Sequence, residues 1–154
     1  MRVRVFWIGK TRLPGVAALT AEYAKRLGRY CEFQGHELRE VLREGKRSAG
    51  ELTAAEASLL ARSEGSFRVA LDPAGRRWSS PELAAFLEKK RDGGNRAVAF
   101  CVGSAEGFSQ PFREQADLLL ALSPMTLPHE LARVVLLEQL YRAFTLLAGH
   151  PYPR

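Results

Sequence analysis

The sequence predicts an α/β fold in which helices cover both faces of a parallel sheet. Strand-like and helix-like periods alternate along the 154 residues, which is the pattern of consecutive strand and helix units. Residues 97–102, AVAFCV, are apolar at every position, as expected of a parallel strand at the centre of such a sheet. With 46% hydrophobic residues, the chain can form one substantial core and is too short for two ordinary domains. We therefore expect one domain over residues 1–154.

The first strand and helix follow from two local patterns. Val3, Val5 and Trp7 alternate with their neighbours, which predicts a strand that stops at Gly9. Pro14 suits the first turn of a helix, where a missing N–H costs nothing. The apolar residues that recur at helical spacing and are expected to face inward are Val16, Leu19, Tyr23, Leu27 and Tyr30.

Residues 31–63 contain a weak strand signal and a clearer helix. Residues 31–42, CEFQGHELREVL, fit neither period well and are interpreted as a second strand, with an exposed loop at residues 43–48. Good helix formers fill residues 51–63, and Gly65 follows as a stop signal. This helix is expected to turn three leucines inward: Leu52, Leu59 and Leu60.

The second half of the chain continues the alternation. Strands are predicted at residues 67–71, 97–102 and 117–123, and helices from Ser80 to the glycines at 93–94, at 110–116 and at 128–148. Residues 72–75, DPAG, are predicted to form a turn after the third strand.

Three loops should meet at the carboxyl edge of this sheet, where ligands bind in such folds. They are residues 71–78 (LDPAGRRW), 103–109 (GSAEGFS) and 123–129 (SPMTLPH). The glycines of the second loop would let a backbone approach a ligand, but it lacks the GxGxxG spacing of a dinucleotide site, and taken alone it favours a simple turn. Pro124 and Pro128 stiffen the third loop, although an ordinary helix start gives the same pattern. His129 is either a neutral hydrogen-bonding group of the site or a structural residue.

The last helix and the tail suggest a partner. Residues 134–147 are apolar over more than one stripe, which indicates burial on two sides, by a second copy in a two-fold dimer or by other helices of the same chain. Arg142 follows Glu138 by four residues. This spacing predicts an ordinary ion pair within a helix; the alternative is that Arg142 binds an anion or the edge of a base. Tyr152 and Arg154 become candidates for base stacking and phosphate contact if a partner orders the tail.

Charge and cysteine content narrow the class of protein. Lysine and arginine outnumber aspartate and glutamate by 23 to 17, a formal charge of +6, which favours nucleic acid as a partner, although solubility explains it equally well. Cys31 and Cys101 lack CxxC spacing, so neither a disulfide framework nor a metal site is expected. No secretory signal and no stretch near the roughly 18 apolar residues of a membrane span is found. We expect a cytoplasmic protein without a membrane partner.

Residues 122–144, LSPMTLPHELARVVLLEQLYRAF, resemble the LS-x-MTLPH-x-L-x-RV-x-L-x-EQ-x-YRA pattern of the RlmH family of SPOUT-class methyltransferases. VGSAEGF at residues 102–108 and the carboxyl-terminal PY add to the resemblance, which extends over essentially the whole chain. It implies a parallel-sheet sandwich with a C-terminal trefoil knot. The implied activity is methylation of N3 of a pseudouridine in 23S ribosomal RNA, on the assembled ribosome. The implied cofactor is S-adenosylmethionine, and the implied assembly is a homodimer.

The resemblance also implies a role for individual residues. Those expected to hold the cofactor are Leu71, Gly103, Leu122, Ser123, Pro124, Met125, Thr126 and Leu127. Arg142 and Arg154 would donate to the uracil carbonyl oxygens, and Tyr152 would position the ring, with one subunit's loops and the other's tail forming each site. His129 would be a further polar contributor. Because a sulfonium already activates its methyl group, the remaining task is to align N3 and to stabilise its anion.

Two positions depart from the family pattern. Pro153 stands where a histidine usually separates the tyrosine and arginine of the tail, and Ser104 replaces a second glycine after Gly103. Methylation is still expected, because a stabilised imide can lose its proton to water. One alternative is a ribosome-binding factor of the same fold that no longer methylates. The other is a small-molecule or nucleotide-binding protein, which would not bind RNA with the salt dependence of an rRNA enzyme.

Overall fold

Parallel strands form one sheet in the part of the chain that the structure, a computed structural model, describes: residues 1–40 and 50–152. The strands are β1 (Arg2–Ile8), β2 (Glu32–Leu38), β3 (Phe67–Arg77), β4 (Ala97–Val102) and β5 (Leu118–Ala121). The helices are α1 (Pro14–Leu27), α2 (Ala54–Arg62), α3 (Ser80–Asp92), α4 (Gln110–Glu114) and α5 (His129–Ala148). The strand order is β2-β1-β4-β3-β5, and each neighbouring pair is parallel. The predicted α/β fold with β4 at its centre is therefore confirmed.

Side chains of β4 divide between two hydrophobic clusters, one on each face of the sheet. Val98, Phe100 and Val102 join the larger cluster, with residues of α1, α3 and α5. Ala99 and Cys101 point the other way and pack with residues of α2 and α4. Burial of alternate residues on opposite faces follows from the two-residue period of a strand. It explains why this strand is apolar throughout.

Two helices start with a capping box, which fixes their entry points. At the start of α2, Thr53 and Glu56 satisfy each other's backbone N–H groups. Ser79 and Glu82 do the same at α3, so the cap residue is Ser79, and α3 begins at the predicted Ser80.

The inward stripe of α1 was only partly predicted. Val16 and Leu27 are buried, whereas Leu19 is 45% exposed, so its inward placement was wrong. A period-based prediction identifies one face of a helix, but the neighbouring elements decide how wide the buried stripe is.

The second strand ends at Leu38, within the predicted range. The exposed loop predicted at residues 43–48 lies outside the described residues. Among the described helices, none is long and apolar enough to cross a membrane.

The third strand is longer than predicted. Leu71 and Arg76 both align with Leu120 of β5, so residues 72–75 bulge out of the sheet and β3 then resumes pairing to Arg77. The predicted turn at DPAG is therefore a bulge within a strand. Gly75 permits it, because a Cβ there would lie 2.5 Å from the backbone between Leu119 and Leu120.

The last helix is flanked by α1 and α3 and lies over the larger cluster. The second interpretation of its apolar surface, burial between helices of the same chain, therefore explains the two sides of α5 that contact α1 and α3. Its outward side keeps Leu131 and Leu146 about half exposed, at 46% and 50%. A second copy on that side and the trefoil knot both stay predictions.

Candidate functional site

Three strand ends converge at one edge of the sheet. β4, β3 and β5 are neighbours, Leu71 pairs with Leu120, and the preceding Ala70 pairs with Cys101. Gly103 and Leu122 therefore lie within two residues of the level of Leu71. The three segments that were predicted from sequence to meet at this edge do so, although the first of them is a bulge within β3 and not a loop.

The loop after β4 folds back on Gly103. The N–H of Gly107 donates to the carbonyl of Ser104 at 2.9 Å, and Gly107 has a φ of 75°. A Cβ at Gly103 would lie 3.2 Å from the Gly107 backbone, so any side chain there would push the loop outward. A glycine is thus needed for a tight turn, and the same turn leaves main-chain groups at the sheet edge.

Residues 122–127 form the third loop, and residues 124–126 of it are exposed. The Ser123 hydroxyl accepts from the N–H of Met125 at 2.9 Å, and the Met125 side chain is 78% exposed. Pro128 caps α5 without a side-chain hydrogen bond. The cap residue therefore leaves the first N–H groups of α5 without an acceptor from its own side chain, in a field that favours polar or negative ligand groups.

Asp72 fixes the bulge of β3 beside this loop. Its carboxylate accepts from the N–H of Ala74 at 2.8 Å and pairs with Arg113 of α4 at 2.9 Å. The bulge is therefore held to the sheet edge from both sides. In this segment the resemblance implied a role for Leu71, and Asp72 was not singled out from the sequence.

Glu130 joins the start of α5 to the loop between β1 and α1. Its carboxylate accepts from the backbone N–H groups of Arg12 at 2.8 Å and Leu13 at 3.2 Å. These two hydrogen bonds lower the pKa of Glu130. The neighbouring His129 is the first residue of α5 and is half-buried, which places it beside the third loop as expected.

Replacing that carboxylate should make stability depend on pH in a defined way. The folded-state pKa of Glu130 is lowered, so its contribution is present above the ordinary value of 4.5 and is lost as the pH falls through the folded pKa. We expect Glu130→Gln to melt below wild type at about pH 7, with the difference shrinking below about pH 4.5. Thermal unfolding monitored by circular dichroism measures this. Glu64→Gln, at an exposed acid after α2, is the control, and an equal loss at both pH values would contradict the assignment.

Arg133 is a buried cation one turn further along α5. Its side chain is fully buried, its guanidinium lies 4.6 Å from the centre of the Trp7 ring, and it donates to the Thr11 hydroxyl. Nε and Nη2 are buried and have no hydrogen-bond partner among the described residues. Burial lowers the pKa of this guanidinium, which the nearby Glu37 opposes. The face of the Trp7 ring stabilises the buried charge.

Glu37 completes this cluster. It accepts from Trp7 Nε1 at 3.2 Å and from both the N–H and the hydroxyl of Thr11. Burial alone would raise the pKa of Glu37, but the hydrogen bonds from Thr11 and Trp7 and the charge of Arg133 outweigh it and lower that pKa. The cluster ties α5, β1 and β2 together behind the loops. Sequence reasoning missed it, although an arginine inside an apolar helix was an available signal.

Arg142 and Tyr152 form a separate group. Arg142 pairs with Glu138, with Nη2 at 2.6 Å from Oε1, which confirms the predicted helix ion pair. Its guanidinium also lies 4.6 Å from the centre of the Tyr152 ring. Burial, followed by a hydrogen bond with Tyr23, raises the pKa of Tyr152, so the phenol stays protonated at neutral pH.

The two groups are far apart within one chain. Arg142 is 13 residues beyond His129 on α5, roughly 20 Å at the rise of an α-helix. Leu71, Gly103, residues 122–127 and His129 thus share one edge, and Arg142 and Tyr152 do not. Arg154 and Pro153 lie outside the described residues. Within the described residues, no group of three or more His, Cys, Asp and Glu could hold a metal ion.

Comparisons with known proteins agree with this architecture. Residues 1–153 match a family model described as "Predicted SPOUT methyltransferase". The chain is 43% identical over 154 residues to ribosomal RNA large subunit methyltransferase H of Koribacter versatilis, covering 99% of this chain and 97% of the relative. The structure of tRNA (m1G37) methyltransferase from Aquifex aeolicus aligns with a TM-score of 0.59 and 16% identity, over 100% of this chain and 75% of that one. A methyltransferase from Legionella pneumophila, solved with bound cofactor SAM, aligns with a TM-score of 0.53 and 14% identity, over 91% and 65%.

Proposed function

This chain belongs to the SPOUT methyltransferase family, and we propose that it transfers a methyl group from S-adenosylmethionine to large-subunit ribosomal RNA. The observation that carries the proposal is the convergence of Leu71, Gly103 and residues 122–127 at one sheet edge. A relative named for this rRNA activity matches the chain at 43% identity over nearly its full length. We take the target to be N3 of a pseudouridine on the assembled ribosome. The protein then acts as one domain in the cytoplasm.

The residues at the sheet edge fit the cofactor. Leu71, Leu122 and Leu127 are half-buried and offer apolar surface, while Gly103 has no room for a side chain and places its main chain at the sheet edge. Apolar walls with a few main-chain donors and acceptors suit an adenosine group. S-adenosylmethionine supplies, when bound, a methyl group that is already activated. The stiffness of the third loop lowers the entropy cost of binding.

Arg142, Arg154 and Tyr152 orient the target base and stabilise its anion. Guanidinium groups offer fixed donors to uracil carbonyl oxygens, which carry the negative charge once N3 loses its proton. Glu138 holds the Arg142 guanidinium in place through two hydrogen bonds, and the Tyr152 ring stacks on it. His129 contributes a polar group at the loop. With Pro153 in place of the tail histidine, the N3 proton leaves to water.

The separation of the two groups requires a second copy of the chain. An arginine roughly 20 Å along α5 cannot reach a base held at the loops of its own subunit. Leu146, four residues beyond Arg142 on α5, is half exposed, so apolar surface is available for a two-fold contact close to Arg142. We propose a homodimer in which the loops of one subunit and the tail of the other complete each site.

Methyl transfer to ribosomes that lack the modification tests the proposal. Labelled S-adenosylmethionine is supplied to wild type, Pro153→His and Arg154→Ala side by side. We expect label at a pseudouridine with wild type, and a loss of at least about 100-fold with Arg154→Ala, because a donor to the developing charge is removed. Label from Pro153→His alone would show that the histidine is required and would favour a binding factor. No label from any variant, with cofactor binding intact, would contradict the substrate.

A further inference from the structure

A strip of cations and aromatic rings starts beside the cofactor loops and follows α3. Its members are Arg76, Arg77, Trp78, Phe86, Phe67 and Lys90, and we call it the basic strip. Arg76 pairs with Leu120 and Arg77 with Ala121, the residue before Leu122, so the strip begins at the same sheet edge as the third loop. Because neighbouring residues of a strand point to opposite faces, Arg76 is on the face of Leu120 and α3, and Arg77 extends the strip around the edge to the other face. Arg76 and Arg77 are both exposed. The strip is therefore next to the proposed methylation site but shares no residue with it.

The aromatic rings of the strip are continuous. Trp78 and Phe86 have ring centres 5.0 Å apart, and Phe86 and Phe67 have ring centres 5.7 Å apart. Lys90 Nζ lies 3.5 Å from the centre of Phe67. All three rings pack against the core and are half-buried. Each therefore has one side anchored in the fold and part of its surface at the solvent.

Positive charge dominates along the strip. Glu82 is occupied by the capping box of α3, and Glu88 and Asp92 both pair with Arg91. Among the described residues, no acidic side chain pairs with Arg76, Arg77 or Lys90. Glu82, Glu88, Asp92 and Arg91 thus have structural roles. No such role explains the two exposed arginines at the end of β3, Arg76 and Arg77.

Exposed cations next to aromatic faces are the features that bind single-stranded RNA, through phosphate contacts and base stacking. A target nucleotide must leave its helix to reach a methyl donor, so unpaired nucleotides must flank the site. We infer that the basic strip binds the single-stranded RNA segment next to the target nucleotide and leads it to the cofactor loops. This inference rests on the proposed function. α3 has 13 residues, so the strip extends for roughly 20 Å.

The double variant Arg76→Gln/Arg77→Gln tests the strip. We expect its KM for unmodified ribosomes to rise by about 10-fold while its affinity for S-adenosylmethionine is unchanged, because the phosphate contacts are electrostatic. Its affinity for a single-stranded oligouridylate should fall, and the slope of log affinity against log salt should decrease by roughly 1.4 for two lost contacts. Trp78→Leu, which keeps an apolar side chain, should weaken binding without changing that slope.

The matched control is Arg2→Gln/Arg62→Gln, which removes the same charge from β1 and α2. An equal loss of RNA affinity in this control would show a general effect of net charge and would overturn the inference. So would an unchanged KM and salt slope in Arg76→Gln/Arg77→Gln. Failure of the proposed function looks different, because wild type would then transfer no label. The oligouridylate measurement still decides whether the strip binds RNA in that case.

Discussion

A mixed dimer of two inactive variants, Gly103→Val and Arg142→Ala, should regain about half of the wild-type methyl transfer per dimer. Valine at Gly103 places atoms against the Gly107 backbone, where a Cβ alone would lie 3.2 Å away, so cofactor binding should be lost. Alanine at Arg142 removes the proposed donor to the anion, with an expected loss of about 100-fold or more in kcat. Each mixed dimer keeps one site with intact loops and an intact tail. Coexpression with two affinity tags, tandem purification and labelled methyl transfer measure the result.

The controls separate catalysis from folding. Both variants should melt near wild type, and Arg142→Ala should bind S-adenosylmethionine normally because Arg142 lies far from the loops. Glu138→Gln, which removes the ion-pair partner of Arg142, should lower kcat less than Arg142→Ala. If tandem purification recovers no mixed dimer, or if the mixed dimer is as inactive as its parents, each site lies within one subunit and the proposed assembly is wrong.

Elements with a strong period were predicted well from the sequence. β4 was predicted at its observed bounds, because six apolar residues in a chain of alternating elements require burial on both faces. The start of α3 was predicted from Ser80, Pro81 and Glu82, whereas the capping residue is Ser79, one position earlier. The predicted burial of Leu19 was wrong because α1 lies at the edge of the helical layer. The sequence of α1 alone does not show which neighbouring elements cover it.

Features that depend on distant contacts were not predicted. The bulge of β3 is defined by the pairing of both Leu71 and Arg76 with Leu120 of β5. The local sequence contains only a proline and a glycine between them, which predicts a turn. Arg133 stacks on Trp7, 126 positions earlier. The proximity of the three loops was predicted, because parallel strands place their carboxyl ends together. The separation of Arg142 from those loops required the length and direction of α5.

Gly75→Ala should be among the most destabilising single substitutions in this chain. An added Cβ would meet the carbonyl carbon of Leu119 and the nitrogen of Leu120 at 2.5 Å. Both contacts are backbone atoms of a paired strand, so neither can move without breaking the pairing between β3 and β5. We expect a loss of about 3 kcal/mol or more in the free energy of unfolding, or roughly 10 °C in melting temperature for a chain of this size. Chemical denaturation with circular dichroism measures it.

Gly15→Ala provides the matched control, since the substitution is identical and only the surroundings differ. A Cβ at Gly15 meets nothing within 4 Å, and the residue is in the first turn of α1. Alanine there should stabilise the protein by about 0.5 kcal/mol, because it restricts the unfolded chain and suits a helix. A small change in the free energy of unfolding with Gly75→Ala would mean that the bulge can widen with little loss of stability. The close approach of β3 and β5 would then not be what holds Arg76 and Arg77 beside the third loop.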